Sequence, residues 1–286
     1  MGARTEPRYE QGAYLHDLRL RWGPLYEQVL GLFGATTTII PLGDPFYGDI
    51  NSTTGCATVL GASGLATTFA YIAAPTAYTT PFGIPSGITG GAPEFEIVPG
   101  NSQYLRAVDA AYWTRALAPM SIVMWVKITN TAGIRALFSK AEDATAREFE
   151  LYVDASDFLT FKTWDETANV SAKRVSDAAI PMGRWAQIVM THSGVGAGAN
   201  AAGNIALYVD GAAFASTATG DAAWVTMQDT TARVYVALSL SSGSADEYTG
   251  SIAGGPLGPT FVQAELSANQ VLRHYRMTHP YIYSGI

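Results

Sequence analysis

The chain has little cysteine, little charge and no long hydrophobic run. Its single cysteine, Cys56, excludes an intrachain disulfide, and a lone cysteine of this kind is typical of a small buried residue. Charged residues make up 14% of the chain, and the net charge of −7 disfavours a phosphate backbone as partner. The longest apolar candidate, residues 29–43, is interrupted by Gly, Thr and Pro. It is too short for the roughly 18 apolar residues of a membrane span, so we expect neither nucleic acid nor membrane as partner.

The chain also lacks the residue patterns that mark an export signal or a catalytic centre. Residues 1–14 contain no apolar core of a secretory signal, which predicts a protein made in a cytoplasm. No nucleophile elbow or phosphate-binding loop occurs, and the histidines are scattered. We therefore expect no enzymatic activity, no catalytic residue and no resident metal. Calcium is the one ion left open, because residues 154–157 and 244–247 are acidic loops.

From residue 94 onward the chain consists of short apolar runs separated by Gly, Asn, Asp or Ser. This spacing predicts an all-β, antiparallel two-sheet sandwich. One helical pattern closes the chain after Leu266, with Ser267 as its predicted N-cap.

The segment "GNIALYVDGAAFAS", residues 203–216, predicts a hairpin with Asp210-Gly211 as a two-residue turn. In that register Leu207 and Phe214 lie opposite each other and point toward the core. Asp210 is explained by the turn rather than by a metal.

The N-terminal third differs in composition from the rest, and we assign it as a separate unit. Residues 1–91 are predicted to form an arm with a short helix, and residues 92–286 the sandwich. A helical period runs from Tyr14 to Phe33, with Pro24 as the first residue of a second helix. Residues 50–93 contain no Asp, Glu, Lys or Arg, which predicts a segment laid against a surface. The helix either packs on its own domain or docks onto another subunit.

Several linked motifs resemble one family. The runs "SIVMWVKITN", "ALFSKAE", "GRWAQIVMTHSG", "NIALYVDGAAFAS" and "LSANQVLRHY" occur in an order similar to that of laminin-G-like, concanavalin-A-like jelly rolls. The resemblance implies a jelly-roll sandwich over about residues 92–280. The family usually has an acidic pair after the Gly-Ser-Ile step, whereas this chain has Ala253-Gly254.

Some members of that superfamily are glycoside hydrolases whose acids alternate along one strand. The nearest stretch here is "EFELYVD", in which Glu148 and Glu150 share a face and Tyr152 stands where a third acid would be needed. We interpret the two glutamates as solvent-facing carboxylates without a catalytic role.

The resemblance, with no export signal and no disulfide, favours a structural protein of a bacteriophage virion. The expected role is a head decoration (cement) protein or head fibre, located in the virion and assembled as a homotrimer. Its expected partners are the major capsid protein or other virion proteins, contacted through the N-terminal third. The candidate partner-binding residues are Leu18, Trp22, Leu25, Val29, Phe33, Phe69 and Tyr71.

The alternative function is a glycan-binding adhesin on a tail or head, with a host surface glycan as ligand. Sugar sites commonly stack a ring on an aromatic side chain and bind its hydroxyls with acidic or amide groups. The candidate glycan-binding residues are Trp164 and Asp165, together with Asp221 and Trp224. For each tryptophan, packing at the rim of the sandwich is the competing interpretation.

Overall fold

The computed structural model describes residues 24–25, 27–34, 37–40, 56–58, 68–72, 76–77, 94–97, 104–129, 133–194, 196–243, 245–254 and 257–283. Two antiparallel sheets form a sandwich, which confirms the predicted fold class. The N-terminal strands are β1 (Thr37–Ile39), β2 (Cys56–Thr58), β3 (Thr68–Ile72), β4 (Thr76–Ala77), β5 (Glu94–Ile97) and β6 (Tyr104–Ala107). The central strands are β7 (Met120–Ile128), β8 (Arg135–Asp143), β9 (Ala146–Val153), β10 (Phe158–Asp165), β11 (Val170–Ala179) and β12 (Trp185–His192). The remaining strands are β13 (Ile205–Val209), β14 (Ala212–Ala213), β15 (Ser216–Gly220), β16 (Val234–Val236), β17 (Leu238–Ser239), β18 (Asp246–Glu247), β19 (Gly250–Ala253) and β20 (Thr260–Val262).

The two sheets are called sheet I and sheet II. Sheet I has the order β14-β13-β12-β7-β19-β5-β4, and β20 pairs with both β7 and β1. Sheet II has the order β15-β11-β10-β9-β8-β16-β6-β3-β2. A short 3-10 helix, Gly198–Asn204, precedes β13. Helix α1 covers residues 24–33, with residue 26 outside the described residues, and helix α2 covers Ala268–Tyr283.

Strand β7 shows why the sandwich has two apolar cores. Its alternate residues point to opposite faces of sheet I, and nearly all of them are buried. Met124 and Val126 pack in the core between the sheets. Val123 and Trp125 belong to a second core on the outer face of sheet I, together with Val29 of α1 and Val271 of α2. The helices therefore cover the outer face of sheet I.

The hairpin of β13 and β14 has the predicted geometry. Asp210 and Gly211 have φ values of 52° and 78°, as a type I′ turn requires. The Phe214 N–H donates to the Leu207 carbonyl over 2.8 Å, and both side chains pack against the core between the sheets. Asp210 also accepts a hydrogen bond from the Gln187 N–H, at 3.0 Å.

Helix α2 begins with the predicted Ser267 cap. The Gln270 N–H donates to Ser267 Oγ over 3.3 Å, and the Ser267 N–H donates to Gln270 Oε1 over 3.0 Å. This reciprocal pair is a capping box, which satisfies two backbone donors at the helix start.

The predicted boundary at residue 91 lies inside the sheets rather than between two units. Strand β1 pairs with β20, β3 with β6, and β4 with β5. Residues from 37 to 77 therefore contribute strands to both sheets. These strands are held by backbone hydrogen bonds to neighbouring strands, and such bonds form without charged side chains or a strict alternation of apolar and polar residues.

Candidate functional site

The two outer faces of the sandwich differ in chemistry. The outer face of sheet I is apolar and lies under the helices, whereas the outer face of sheet II carries polar side chains across neighbouring strands. The outer face of sheet II therefore carries the polar groups that a functional site requires.

A row of polar residues crosses this face, one from each strand. Lys162 on β10 lies opposite Lys173 on β11 and opposite Glu150 on β9. Lys173 lies opposite Thr219, and Glu150 lies opposite Ser139. Directly opposite residues of antiparallel strands share a face, with Cβ atoms about 4.5–5.5 Å apart. We call these five residues the polar row.

Glu150 is the buried carboxylate of the polar row. Its side chain is 3% exposed, and Ser241 Oγ donates to Glu150 Oε2 over 2.7 Å. Burial raises the pKa of Glu150 to about 7, Asp246 adds to the rise, and Ser241 and Lys162 oppose it. Glu150 therefore changes charge near neutral pH.

Glu148 is also buried, so the interpretation of both glutamates as solvent-facing was wrong. Its Oε1 atom accepts from Lys140 Nζ, and from the N–H and hydroxyl of Thr230 at 2.8 and 3.0 Å. Burial raises the pKa of Glu148, and Lys140 opposes the rise. The loops that carry Thr230 and Ser241 fold over β9, which residue alternation along one strand cannot reveal. Neither carboxylate lies open to a substrate.

Trp164 has cations on its ring instead of an open face. Lys162 Nζ lies 4.6 Å from the ring centroid, and the Arg147 guanidinium carbon lies 5.4 Å from it. Arg147 is held by Glu166, with 3.0 Å between Arg147 Nη2 and Glu166 Oε2. The indole is 3% exposed, so this conformation does not offer it for stacking on a sugar.

The structure brings the other sugar-site candidates to the same end of the sandwich. Asp165 Oδ2 accepts from the Val225 N–H at 2.9 Å, which fastens the loop carrying Trp224 to the end of β10. Hydrogen bonds from backbone N–H groups hold the pKa of Asp165 below its usual range, against the effect of burial. Trp224 is 1% exposed and belongs to the core, while Asp221 is exposed and accepts from the Ala223 N–H. Packing at the rim, the competing interpretation, describes both tryptophans in this structure.

The docking candidates of the N-terminal helix lie inside the molecule. Leu25, Val29 and Phe33 are at most 5% exposed and pack in the second core. This is the arrangement of a helix on its own domain, and a partner could contact these side chains only if α1 moved away. Leu18 and Trp22 lie outside the described residues, and Phe69 and Tyr71 belong to β3 without described side chains.

The solvent-facing side of α1 forms a groove with α2 of about 530 Å³. Leu32 and Met277 give it an apolar lining, and Arg273 and Arg276 add two cations. The groove lies over sheet I, so it is on the opposite side of the sandwich from the polar row.

The acidic loop of residues 154–157 is stabilised by contacts within the fold, and in the second candidate segment Asp246–Glu247 form β18 rather than a loop. Asp154 Oδ1 accepts from the N–H groups of Ser156 and Phe158, at 2.8 and 3.0 Å. Asp157 pairs with Arg135 over 2.9 Å. Within the described ranges, no three His, Cys, Asp or Glu residues are grouped so that they could hold a metal ion. None of the helices described is long and apolar enough to cross a membrane.

Lys173 is the site residue that sequence reasoning missed. It lies on β11, a strand that was not predicted, because the inward-facing residues Ala172 and Ser176 give no apolar alternation. The signal that was present is the polar turn "DETANV" directly after β10, which is typical of a hairpin.

The free energy of unfolding is expected to depend on pH because Glu150 has different pKa values in the folded and unfolded states. Its folded pKa of about 7 exceeds the usual value, so the folded state retains the proton as pH rises from about 4.5 to 7. The stabilisation from Glu150 is complete below about pH 4.5 and is lost as pH rises through 7. Urea unfolding of wild type and Glu150→Gln at pH 5 and pH 8 measures this difference. Wild type should lose free energy of unfolding relative to the variant at pH 8, and parallel pH profiles would contradict the prediction.

The topology and the buried Trp-containing strand define a laminin-G-like sandwich. A family model described as the Concanavalin A-like lectin/glucanases superfamily matches residues 99–254. The chain belongs to this family.

Solved structures show the same fold at low identity. The binding domain of botulinum neurotoxin serotype D has a TM-score of 0.55 at 10% identity, covering 88% of this chain and 52% of that chain. A botulinum neurotoxin type C structure has a TM-score of 0.51 at 9% identity, covering 81% of this chain and 51% of that chain. This chain thus spans about half the length of those chains. No curated protein matches it.

Proposed function

We propose that this chain is a non-catalytic carbohydrate-recognition module whose ligand contacts the outer face of sheet II. The polar row is the observation that carries the proposal. The Thr219 hydroxyl is exposed, the Lys173 and Lys162 ammonium groups stand beside it on neighbouring strands, and Glu150 and Ser139 are buried at the other end of the row. A rigid sheet holds such groups in fixed positions, which suits a ligand with many hydroxyls.

The two buried glutamates support a non-catalytic role. A retaining or inverting glycosidase needs two carboxyl groups that reach the scissile bond from opposite sides. Glu148 is bound by Lys140 and Thr230, and Glu150 lies beneath Ser241. Both carboxylates therefore accept hydrogen bonds from the protein itself and are not open to a substrate.

The fold neighbours are consistent with recognition. The botulinum neurotoxin type C structure belongs to a protein that depends upon interaction with two ganglioside molecules to get into cells. The serotype D structure is itself a binding domain.

A glycan array with a blocked variant tests the proposal. Thr219 is exposed at the open end of the polar row, so Thr219→Trp should obstruct it. Val108→Trp, at a position 65% exposed beyond β6, is the matched control. Wild type and the control should bind the same glycans, and Thr219→Trp should lose at least about tenfold in affinity. Absence of any glycan binding by wild type, or equal binding by Thr219→Trp, would overturn the proposal.

A virion structural subunit is the second candidate, favoured by the groove on the helical side. A neighbouring virion protein with an acidic, partly apolar surface would complement Arg273, Arg276 and Met277 while sheet II remained free for ligand.

The uncharged segment, residues 50–93, also supplies β2 and β4, the last described strands of the two sheets on that side. Strand edges without charged residues favour pairing between subunits.

The assembly of this second candidate is testable in solution. Light scattering should give three times the 30.3 kDa chain mass for the expected homotrimer. If a groove-bound acidic surface holds the trimer together, Arg273→Glu with Arg276→Glu should return it to a monomer. A wild-type monomer would contradict the homo-oligomer, and a trimer insensitive to both changes would place the contact elsewhere.

A further inference from the structure

We infer that the ligand of the polar row carries an anionic group, a carboxylate or a sulfate, held between Lys162 and Lys173. This inference rests on the proposed carbohydrate-binding function and names the class of sugar. The observation behind it is the register of β10 and β11, which places the two lysines directly opposite each other on one face.

Two lysines in this arrangement cost stability in the absence of a ligand. Like charges directly opposite on neighbouring strands destabilise a sheet. The chain has only four lysines and is acidic overall, so a cationic pair is not a consequence of composition. Lys162 Nζ lies 4.6 Å from the centroid of the Trp164 ring and Lys162 is opposite Glu150, whereas within the described part of the chain no hydrogen bond or ion pair holds the Lys173 ammonium. The fold therefore supplies partners for Lys162 but none, among the described residues, for Lys173 beside it.

The surrounding charges leave the pair cationic. Arg147 is neutralised by its contact with Glu166. Burial lowers the pKa of Lys162, and Arg147 and Lys173 lower it further, while Glu150 opposes them. Glu150 thus offsets one positive charge at most, and Lys173 remains. A carboxylate or sulfate between the two ammonium groups would accept from both, in charge-assisted hydrogen bonds.

The neighbouring positions suit the rest of a sugar ring. Ser171 lies two residues from Lys173 on the same face, opposite Trp164. Its hydroxyl can donate to or accept from a sugar hydroxyl. Thr219 lies on the other side of Lys173 and is exposed. The anion would thus be flanked by hydroxyl groups, as an acidic sugar requires.

Glu150 makes the affinity for an anion depend on pH. Lys162 faces it from β10 and Ser139 from β8, while Ser241 contacts it from the loop after β17 and Asp246 lies near it on β18. As pH falls through about 7, Glu150 becomes neutral, and the net charge beside Lys162 rises by one. Asp246, whose pKa burial also raises, acts in the same direction. The affinity for an anionic ligand should therefore be about fivefold higher at pH 5.5 than at pH 8.

Titration calorimetry on the full chain tests the inference with matched oligosaccharides. The probes are oligosaccharides ending in glucuronic acid, the same chains sulfated, the neutral chains, and inorganic sulfate. Lys173→Thr removes one lysine of the pair, and Arg184→Thr removes an exposed cation next to β12 of sheet I with the same change in net charge. Wild type should prefer the acidic probes, Lys173→Thr should lose at least about tenfold in affinity, and the affinity of Arg184→Thr should be unchanged. Glu150→Gln should bind with little dependence on pH.

Thermal unfolding provides a readout that does not depend on any sugar. Removing the like-charge pair should raise the melting temperature of Lys173→Thr by about 1–3 °C without ligand. A fall in melting temperature would overturn the argument from the lysine pair.

The outcomes separate this inference from the proposed function. Equal affinity for neutral and acidic probes, unchanged in Lys173→Thr, overturns the anionic ligand and keeps the carbohydrate module. Binding of inorganic sulfate that requires Lys173, with no binding of any oligosaccharide, keeps the anion site and overturns the carbohydrate module. No binding of any acidic probe to wild type overturns the inference.

Discussion

Replacing Trp125 by alanine is expected to lower the free energy of unfolding by about 3–5 kcal/mol and to release helix α2 from sheet I. Trp125 is fully buried on the outer face of β7. Its Nε1–H donates to Thr278 Oγ1 over 3.0 Å, and its ring stacks on Tyr275 at 5.6 Å. The substitution thus removes both apolar contact and the hydrogen bond that joins helix to sheet. Urea unfolding measures the loss, and amide hydrogen exchange in α2 shows whether the helix separates first.

Trp125→Phe is the control for this prediction, because it removes the N–H donor and keeps most of the ring. It should cost about 1–2 kcal/mol, and exchange in α2 should rise less than in Trp125→Ala. An alanine variant as stable as wild type, with unchanged exchange in α2, would show that the helical layer does not depend on this contact.

Replacing Lys140 by methionine is the second change with a large expected effect, about 3–5 kcal/mol. Lys140 and Glu148 are both 0% exposed, and Lys140 Nζ also lies 2.9 Å from Asp109 and 3.1 Å from the Thr230 carbonyl. Methionine keeps the volume of the side chain and leaves Glu148 charged and buried. Without Lys140 to oppose the effect of burial, the pKa of Glu148 rises further and the folded state favours the protonated carboxyl. The free energy of unfolding of the variant should therefore fall as pH rises and Glu148 loses that proton. Urea unfolding at several pH values measures both effects.

The double variant Lys140→Met with Glu148→Leu distinguishes two contributions to the free energy of unfolding: the cost of an unpaired buried carboxylate and the stabilisation from the ion pair. Its free energy of unfolding should lie above that of Lys140→Met, because the fully buried Glu148 carboxylate is gone and only the partly exposed Asp109 has lost its lysine. If the double variant is less stable by the sum of the two single changes, the pair is not coupled and the prediction fails.

These buried polar contacts hold the strands and loops of sheet II in place. Glu148 and Lys140 form a buried ion pair. The Thr230 N–H donates a hydrogen bond to Glu148 and so attaches the covering loop to β9. The same loop is fastened to the end of β10 through Asp165. The polar row between these attachments therefore lies on strands whose positions are set by buried hydrogen bonds.

The strands between residues 120 and 165 were predictable because each carries its own signal. The run 158–165 is one of the short apolar runs that follow residue 94 and forms β10, and the Asp210-Gly211 turn has the backbone angles that its residues favour. Ser267 caps α2 because its hydroxyl oxygen accepts a hydrogen bond from the Gln270 N–H, as serine does at many helix starts. In each case the information lies within a few consecutive residues, so no knowledge of the rest of the chain was needed.

Strands β1–β4 and β11 were not predictable in the same way. Strand β11 faces the core with Ala172 and Ser176, whose small side chains give no alternation. Strands β1 to β4 come from segments rich in Thr, Ala and Gly. They are strands because β20, β6 and β5 pair with β1, β3 and β4, and β3 in turn pairs with β2. Pairing with a distant strand satisfies the backbone and leaves no mark in the local sequence.

The sequence by itself determined the class of fold, the hairpin, the closing helix and the shared face of Glu148 and Glu150. Only the tertiary structure decided which side chains are open to a ligand. It buried both glutamates and the tryptophans at 164 and 224, and it placed Lys173 opposite Lys162. The physical reason is that periodicity along a strand sets the face on which a residue lies. Whether that face is covered, and by which charges, depends on loops and strands that are distant in the chain.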